Sequence, residues 1–229
     1  MISLMENIYL THQPLYTQPA LDYLNSIIDP KWKVFEYGGG FSTVYYNKNC
    51  SRVYTTEHDK SWGKVVTKII PDAKIEIVTE KVEVIPNGVE LYKSFISKKF
   101  ILPLRDDKDR GYNSYHGLTN DEFLGYASRI CNFRKGYFDV VIVDGMCRSL
   151  CLFYTVNMIN DKGIIILDNS CRWQYNDLQS YLIDNGFNRK DFWQPDHASW
   201  CTSFFSKSYD RSTVEPRRPV NTGDLYHVY

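Results

Sequence analysis

Two periods of apolar and polar positions alternate along this chain. Residues 18–28 place Leu21, Leu24, Ile27 and Ile28 at helical spacing, with Pro19 in the first turn, which predicts a helix. Lys33-Val34-Phe35-Glu36 is a short apolar run that stops at three glycines and predicts a buried strand. A helix should follow over 42–48, with Ser42 or Thr43 near its N-terminus. Next come a β-rich run over 52–57, a helical stretch over 60–70 ended by Pro71, and an alternating strand over 74–78. Residues 138–144 are almost uninterruptedly apolar, the mark of a central parallel strand buried on both faces. A helix over 150–159, a second central strand over 164–168 and a helix over 176–185, ended by Gly186, complete the regular pattern. Residues 187–192 and 199–205 should pair as a terminal antiparallel hairpin.

The pattern breaks over 80–118, which mixes short apolar runs with Pro86, Pro103 and a charged cluster at 105–110. This stretch is expected to be an irregular excursion over the site. Thr119-Asn120-Asp121-Glu122 has the form of a capping box and should start a helix to about residue 131. Residues 206–229, with Pro216 and Pro219, are expected to form a poorly ordered or surface-docked tail. Strands alternating with helices imply one α/β domain over 1–205, a Rossmann-like, doubly wound, mostly parallel sheet. Ligands of such sheets bind at the carboxyl ends of the strands.

Composition narrows the function. The chain has 229 residues, 43% of them hydrophobic, enough to bury one real core. Its 27 basic and 27 acidic residues cancel, whereas a dedicated nucleic-acid binder would carry a basic excess, so a small or neutral substrate is expected. The six cysteines form no CxxC pair, and no signal-peptide pattern or membrane-length apolar run is present. A cytoplasmic protein with reduced thiols follows, and a homo-oligomer stays open. The 18 tyrosines would suit a carbohydrate surface, although the chain is also rich in Asn, Lys and Ile, and biased codon usage explains them more simply.

The candidate chemistry sits at strand ends. Gly38 and Gly40 follow a strand and precede a helix, so the backbone can turn sharply and let a ligand approach. A dinucleotide loop would want a third glycine where Thr43 stands, and Glu36 just before the loop would repel a pyrophosphate. A ligand with sulfonium and ammonium centres and no phosphate, S-adenosylmethionine, is the better match. Glu57 ends the next strand, where a carboxylate can accept both ribose hydroxyls or merely start a helix; His58 follows it. The expected cofactor-binding set is therefore Glu36, Gly38, Gly40, Ser42, Thr43, Glu57, His58 and Asp144.

Asp144 and Asp168-Asn169 end two central strands that should be neighbours, so their oxygens should converge above the sheet. Three such ligands would suit Mg²⁺ or another hard divalent cation, which could bind a substrate hydroxyl and lower its pKa. The plainer alternative has Asp144 bonding nearby amides and Asp168 capping the following segment.

In this order, the motifs resemble those of class I S-adenosylmethionine-dependent methyltransferases over roughly residues 18–205. Glu36 to Gly40 looks like their first motif, Thr56-Glu57-His58-Asp59 like their ribose-binding region, and residues 138–145 like the fourth strand and its functional turn. The acids at 144 and 168 are similar to the metal-dependent O-methyltransferases of the catechol and caffeoyl-CoA type. Val-Asp-Gly-Met-Cys-Arg and the late run 200–205 look closer to a group acting on sugars and cell-surface glycans. The resemblance implies methyl transfer to a hydroxyl, with Asp144, Arg148 and Asp168 as catalytic residues and a sugar as acceptor. One departure is that the lysine base of the catechol type is replaced by Cys147, which moves the base to Asp144, His116 or His197 and leaves Arg148 to position substrate. An Asp/Asn-Pro-Pro-aromatic motif, which would point to methylation of DNA amines, is absent after the fourth strand. Two other classes stay open: an NAD-linked sugar oxidoreductase, and a non-catalytic relative that only binds.

Overall fold

The computed structural model describes residues 13–78, 88, 91, 123–172, 175–197 and 199–210. The excursion over 80–118, the capping box at 119–122, His116 and most of the tail lie essentially outside them.

Helix α1 (Gln18–Ile27) buries Ala20, Leu21 and Leu24 and leads into β1 (Lys33–Tyr37). Then follow α2 (Phe41–Asn49), β2 (Arg52–Glu57), α3 (Lys60–Ile69) and β3 (Lys74–Ile77). Asp59 starts α3, its carboxylate accepting the backbone N–H groups of Ser61 and Trp62. After a short helix α4 (Leu124–Ala127) and a 3-10 turn, Ser128–Asn132, come β4 (Val140–Val143) and α5 (Arg148–Met158). The chain continues with β5 (Ile164–Leu167), α6 (Asn176–Asp184), β6 (Asn188–Trp193) and β7 (Cys201–Ser206).

The seven strands run in the order β3-β2-β1-β4-β5-β7-β6. All pairings from β3 to β5 are parallel, and β7 inserts antiparallel between β5 and β6. The α/β doubly wound sheet and its antiparallel end thus match expectation. What periodicity could not specify is that β7, the last strand, lies inside the sheet; its six residues are all buried, which is why 201–206 is so apolar.

Successive strand residues face opposite layers. Phe35, Tyr37, Val141, Val143, Ile165 and Leu167 pack with α4, α5 and α6 on one side. Val34, Val53, Val140, Ile142, Ile166 and Phe204 pack with α1 and α2 on the other. Helix α5 is covered nearly all round, with residues 148–155 buried, so its apolar content exceeds that of a surface helix. The first tail residues dock rather than stray: Asn188 donates to the Tyr209 carbonyl, and Lys190 lies over the Tyr209 ring. All six cysteines are free. No helix among the described residues is long and apolar enough to cross a membrane.

Candidate functional site

The C-terminal ends of β1, β2, β4 and β5 bring the expected acids to one edge of the sheet. Glu36, in β1, is wholly buried, and its carboxylate does not face open space. Oε1 accepts the Ser42 hydroxyl at 2.5 Å; Oε2 accepts Thr43 at 2.5 Å and Thr55 at 2.8 Å. Ser42 and Thr43, expected to hold the cofactor, therefore turn their hydroxyls inward to Glu36. Burial pushes the Glu36 carboxyl up to about 7, against the three hydroxyls and with the help of nearby Glu57.

Glu57 ties the glycine loop to β2. Its Oε2 accepts the Gly39 N–H at 2.8 Å, and its Oε1 accepts the Asp59 N–H at 2.7 Å and lies 2.8 Å from His58 Nδ1. Trp62 completes the frame by donating its indole N–H to the Gly39 carbonyl at 2.6 Å. The three glycines have different jobs. Gly38 adopts φ +89°, and a Cβ there would stand 2.6 Å from Gly145 Cα, so it is needed for close backbone contact with the turn after β4. Gly40 caps α2 with nothing within 4 Å of where a Cβ would stand, which leaves that side of the loop open to a ligand.

At the end of β4, a quarter of the Asp144 side chain reaches solvent. Burial pushes its carboxyl up to about 7; Arg148 opposes the rise, and Asp168 and Glu36 support it. Its Oδ1 lies 2.8 Å from Arg148 Nη2. Asp168, at the end of β5, is 5% exposed and accepts Thr202 Oγ1 at 2.6 Å and Trp200 Nε1 at 3.2 Å. Burial raises its pKa too, against Arg148 and these donors.

The residues expected as metal ligands, Asp144, Asp168 and Asn169, lie together at the ends of β4 and β5, around Arg148. The oxygens do converge, but on Arg148, whose guanidinium bonds the Asp168 carbonyl, the Asp144 carbonyl and the Asn169 side chain. No group of three metal-ligating acids, histidines or cysteines forms among the described residues. A divalent cation does not fit a donor set that already encloses a cation. Arg148, expected to position substrate, is buried and engaged within the protein. Cys147, which stands where a lysine base would, is buried, and burial pushes its thiol up to about 12, so it keeps its proton. His197 lies near β7, its Nδ1 3.1 Å from Ser199 Oγ and its ring edge-on to Trp200.

The roles of Thr55, Trp62, Gly145, Trp200 and Thr202 in fixing the site were not expected, although Gly145 and the run 200–205 belong to motifs quoted above. The glycine directly after the strand-end Asp144 was a signal for Gly145, whereas Thr55, Trp200 and Thr202 hold the acids, and Trp62 the glycine loop, through contacts no local pattern encodes. Two surface recesses lie elsewhere, one at the N-terminal ends of β4 and β5 beside Trp32 and Asp139, the other over β2 and β3 beside Phe133. Neither includes a glycine-loop residue.

No family model matches the chain, and no curated protein matches it. Solved structures do. An rRNA methylase from Streptococcus thermophilus superimposes with a TM-score of 0.51 at 9% identity, over 85% of this chain and 99% of that one. A TehB-like SAM-dependent methyltransferase from Corynebacterium glutamicum gives 0.49 at 12% identity, over 89% and 94%. A methyltransferase-like protein from Silicibacter pomeroyi gives 0.48 at 18%, over 93% of both chains. At such identities the likeness is one of architecture alone: the Rossmann-like, mostly parallel sheet with an antiparallel C-terminal end that the rRNA methylase shares.

Proposed function

We propose that this chain is an S-adenosylmethionine-dependent O-methyltransferase acting on a hydroxyl of a small molecule, a sugar or glycan before others. One observation carries the reading: Glu36, Glu57 and Asp144 crowd around a glycine loop, and two of them are pushed to about 7. A ligand bearing sulfonium and ammonium charges relieves that negative field; a pyrophosphate aggravates it. The open side at Gly40 gives such a ligand its approach.

Bound there, the cofactor supplies an electrophilic methyl on sulfur: the acceptor oxygen–carbon bond forms as the sulfur–carbon bond breaks. The chain's own part is alignment and proton removal. Glu57, fixed by the Gly39 and Asp59 N–H groups, is the carboxylate for the ribose hydroxyls. Asp144, with one oxygen on Arg148 and a carboxyl near neutrality, takes the acceptor's proton on its other oxygen. A hydroxyl acceptor agrees with a carboxylate base of that pKa. The half-buried Trp200, its indole fixed to Asp168, offers the flat face that favours a sugar.

Isothermal titration with S-adenosylmethionine and with NAD tests the cofactor: binding of the first is expected, and binding of NAD alone would sink the reading. Transfer of labelled methyl to saccharides, measured against amine acceptors, then tests the oxygen.

A further inference from the structure

The cage at the end of β4 and β5 is complete without a metal. We propose that Arg148 is the site's resident cation: its guanidinium stands where a divalent ion was expected, positions Asp144, and makes the protein metal-independent.

A guanidinium has five N–H groups in a rigid planar fork. Here four hydrogen bonds and one ion pair engage it within the protein. Nε–H faces the Gly145 carbonyl at 3.1 Å. Nη1 faces the Asp168 carbonyl at 2.6 Å and Asn169 Oδ1 at 3.4 Å. Nη2 faces the Asp144 carbonyl at 3.0 Å and Asp144 Oδ1 at 2.8 Å. All three guanidinium nitrogens are thus engaged within the protein, which separates Arg148 from a residue that binds an acidic acceptor. One oxygen of the Asp168 carboxylate is also occupied, since Thr202 and Trp200 both donate to its Oδ1.

The backbone supports the same assignment. Cys147 and Asn169 are the non-glycine residues at positive φ among those described, +46° and +51°. They bracket the cage, one immediately before Arg148 and one contributing an acceptor to it. Such conformations persist where the surrounding structure over-determines them, and a guanidinium engaged on all three nitrogens does that. An ammonium could not, because it is a point charge without the fork. Arg148 thus acts through Asp144: it pairs with Oδ1 and leaves Oδ2 to face the reactants, so it is a positioning residue.

The structural half of this inference stands alone; its kinetic half rests on the methyltransferase reading. Mn²⁺ titrated into the wild-type protein and followed by paramagnetic resonance should show no stoichiometric binding, and exhaustive chelation should leave the melting temperature unchanged. One equivalent of bound Mn²⁺, lost in Asp144→Asn, would overturn the proposal. Arg148→Ala should melt lower and recover on addition of millimolar methylguanidinium, while Arg148→Lys should not match the wild type. A lysine variant as stable as the wild type, or a soluble alanine variant that methylguanidinium leaves unchanged, would also overturn it. If Arg148→Ala does not fold, the manganese and lysine measurements still decide. With methyl transfer in hand, Arg148→Ala should lower kcat on the order of 100-fold with little change in the KM of the acceptor, and methylguanidinium should raise kcat. If the protein binds only NAD, the function proposed above fails while the manganese and melting readouts still test the cage.

Discussion

Gly38 and Gly145 meet backbone to backbone: a Cβ on Gly38 would stand 2.6 Å from Gly145 Cα, and one on Gly145 would stand 3.0 Å from Gly38 Cα. This contact locks the glycine loop after β1 to the turn after β4 that presents Asp144. Gly38→Ala adds a methyl into backbone and forces an L side chain into the left-handed region, for a loss of about 2–4 kcal/mol in denaturant unfolding. Gly145→Ala, whose methyl would also meet the buried Tyr126 hydroxyl at 2.1 Å, should cost about 1–3 kcal/mol.

Gly40→Ala is the contrasting variant. Its added methyl meets no protein atom within 4 Å, so stability should change by no more than about 0.5 kcal/mol. Calorimetry should nevertheless show weaker S-adenosylmethionine binding, because the methyl enters the ligand's side of the loop. Unchanged affinity would remove the cofactor from that face.

The buried Glu36 predicts a pH dependence with a definite sign. Its folded pKa is raised to about 7, so between the ordinary carboxylate range and 7 the unfolded chain has released a proton that the folded chain keeps. The associated stability is complete below that range and is lost as pH rises to 7, at most about 3 kcal/mol for this group. Asp144 contributes in the same direction. Melting curves from pH 4.5 to 8 should therefore fall in the ligand-free protein, with a shallower slope in Glu36→Gln. A cationic ligand favours the ionised forms, so S-adenosylmethionine affinity should rise over the same interval, with proton release seen in buffers of different ionisation heat.

Glu57→Ala removes the acceptor of the Gly39 and Asp59 N–H groups and the carboxylate proposed for the ribose. Titration calorimetry should show S-adenosylmethionine affinity lowered by tenfold or more, about 1.4 kcal/mol. Glu57→Gln keeps an acceptor oxygen and should fall in between.

Asp168→Ala tests what anchors the β6–β7 connection. It leaves the buried Thr202 hydroxyl and the Trp200 indole without their acceptor, which predicts a loss of about 1.5–3 kcal/mol in unfolding. Trp200 emission should shift to the red as its ring is released. An unchanged spectrum would show that the indole is held by something else.

The chain's local pattern determined a great deal. Uninterrupted apolar runs such as 140–143 and 164–167 can be satisfied only between two layers, and the glycine run after β1 needs backbone freedom, so the succession of strands and helices and the doubly wound class were legible. The identity of each acid's partner was not. Glu36 was expected to face a ligand, yet it is closed off by Ser42, Thr43 and Thr55. Asp144 and Asn169, expected as metal ligands, both contact Arg148, and Asp168 is held by Thr202 from 34 residues away. Periodicity records which residues are buried; it carries no record of which polar group answers another across the sheet. That choice depends on register, on β7 inserting beside β5, and on which side chain reaches the acids, and so only the tertiary structure could decide it.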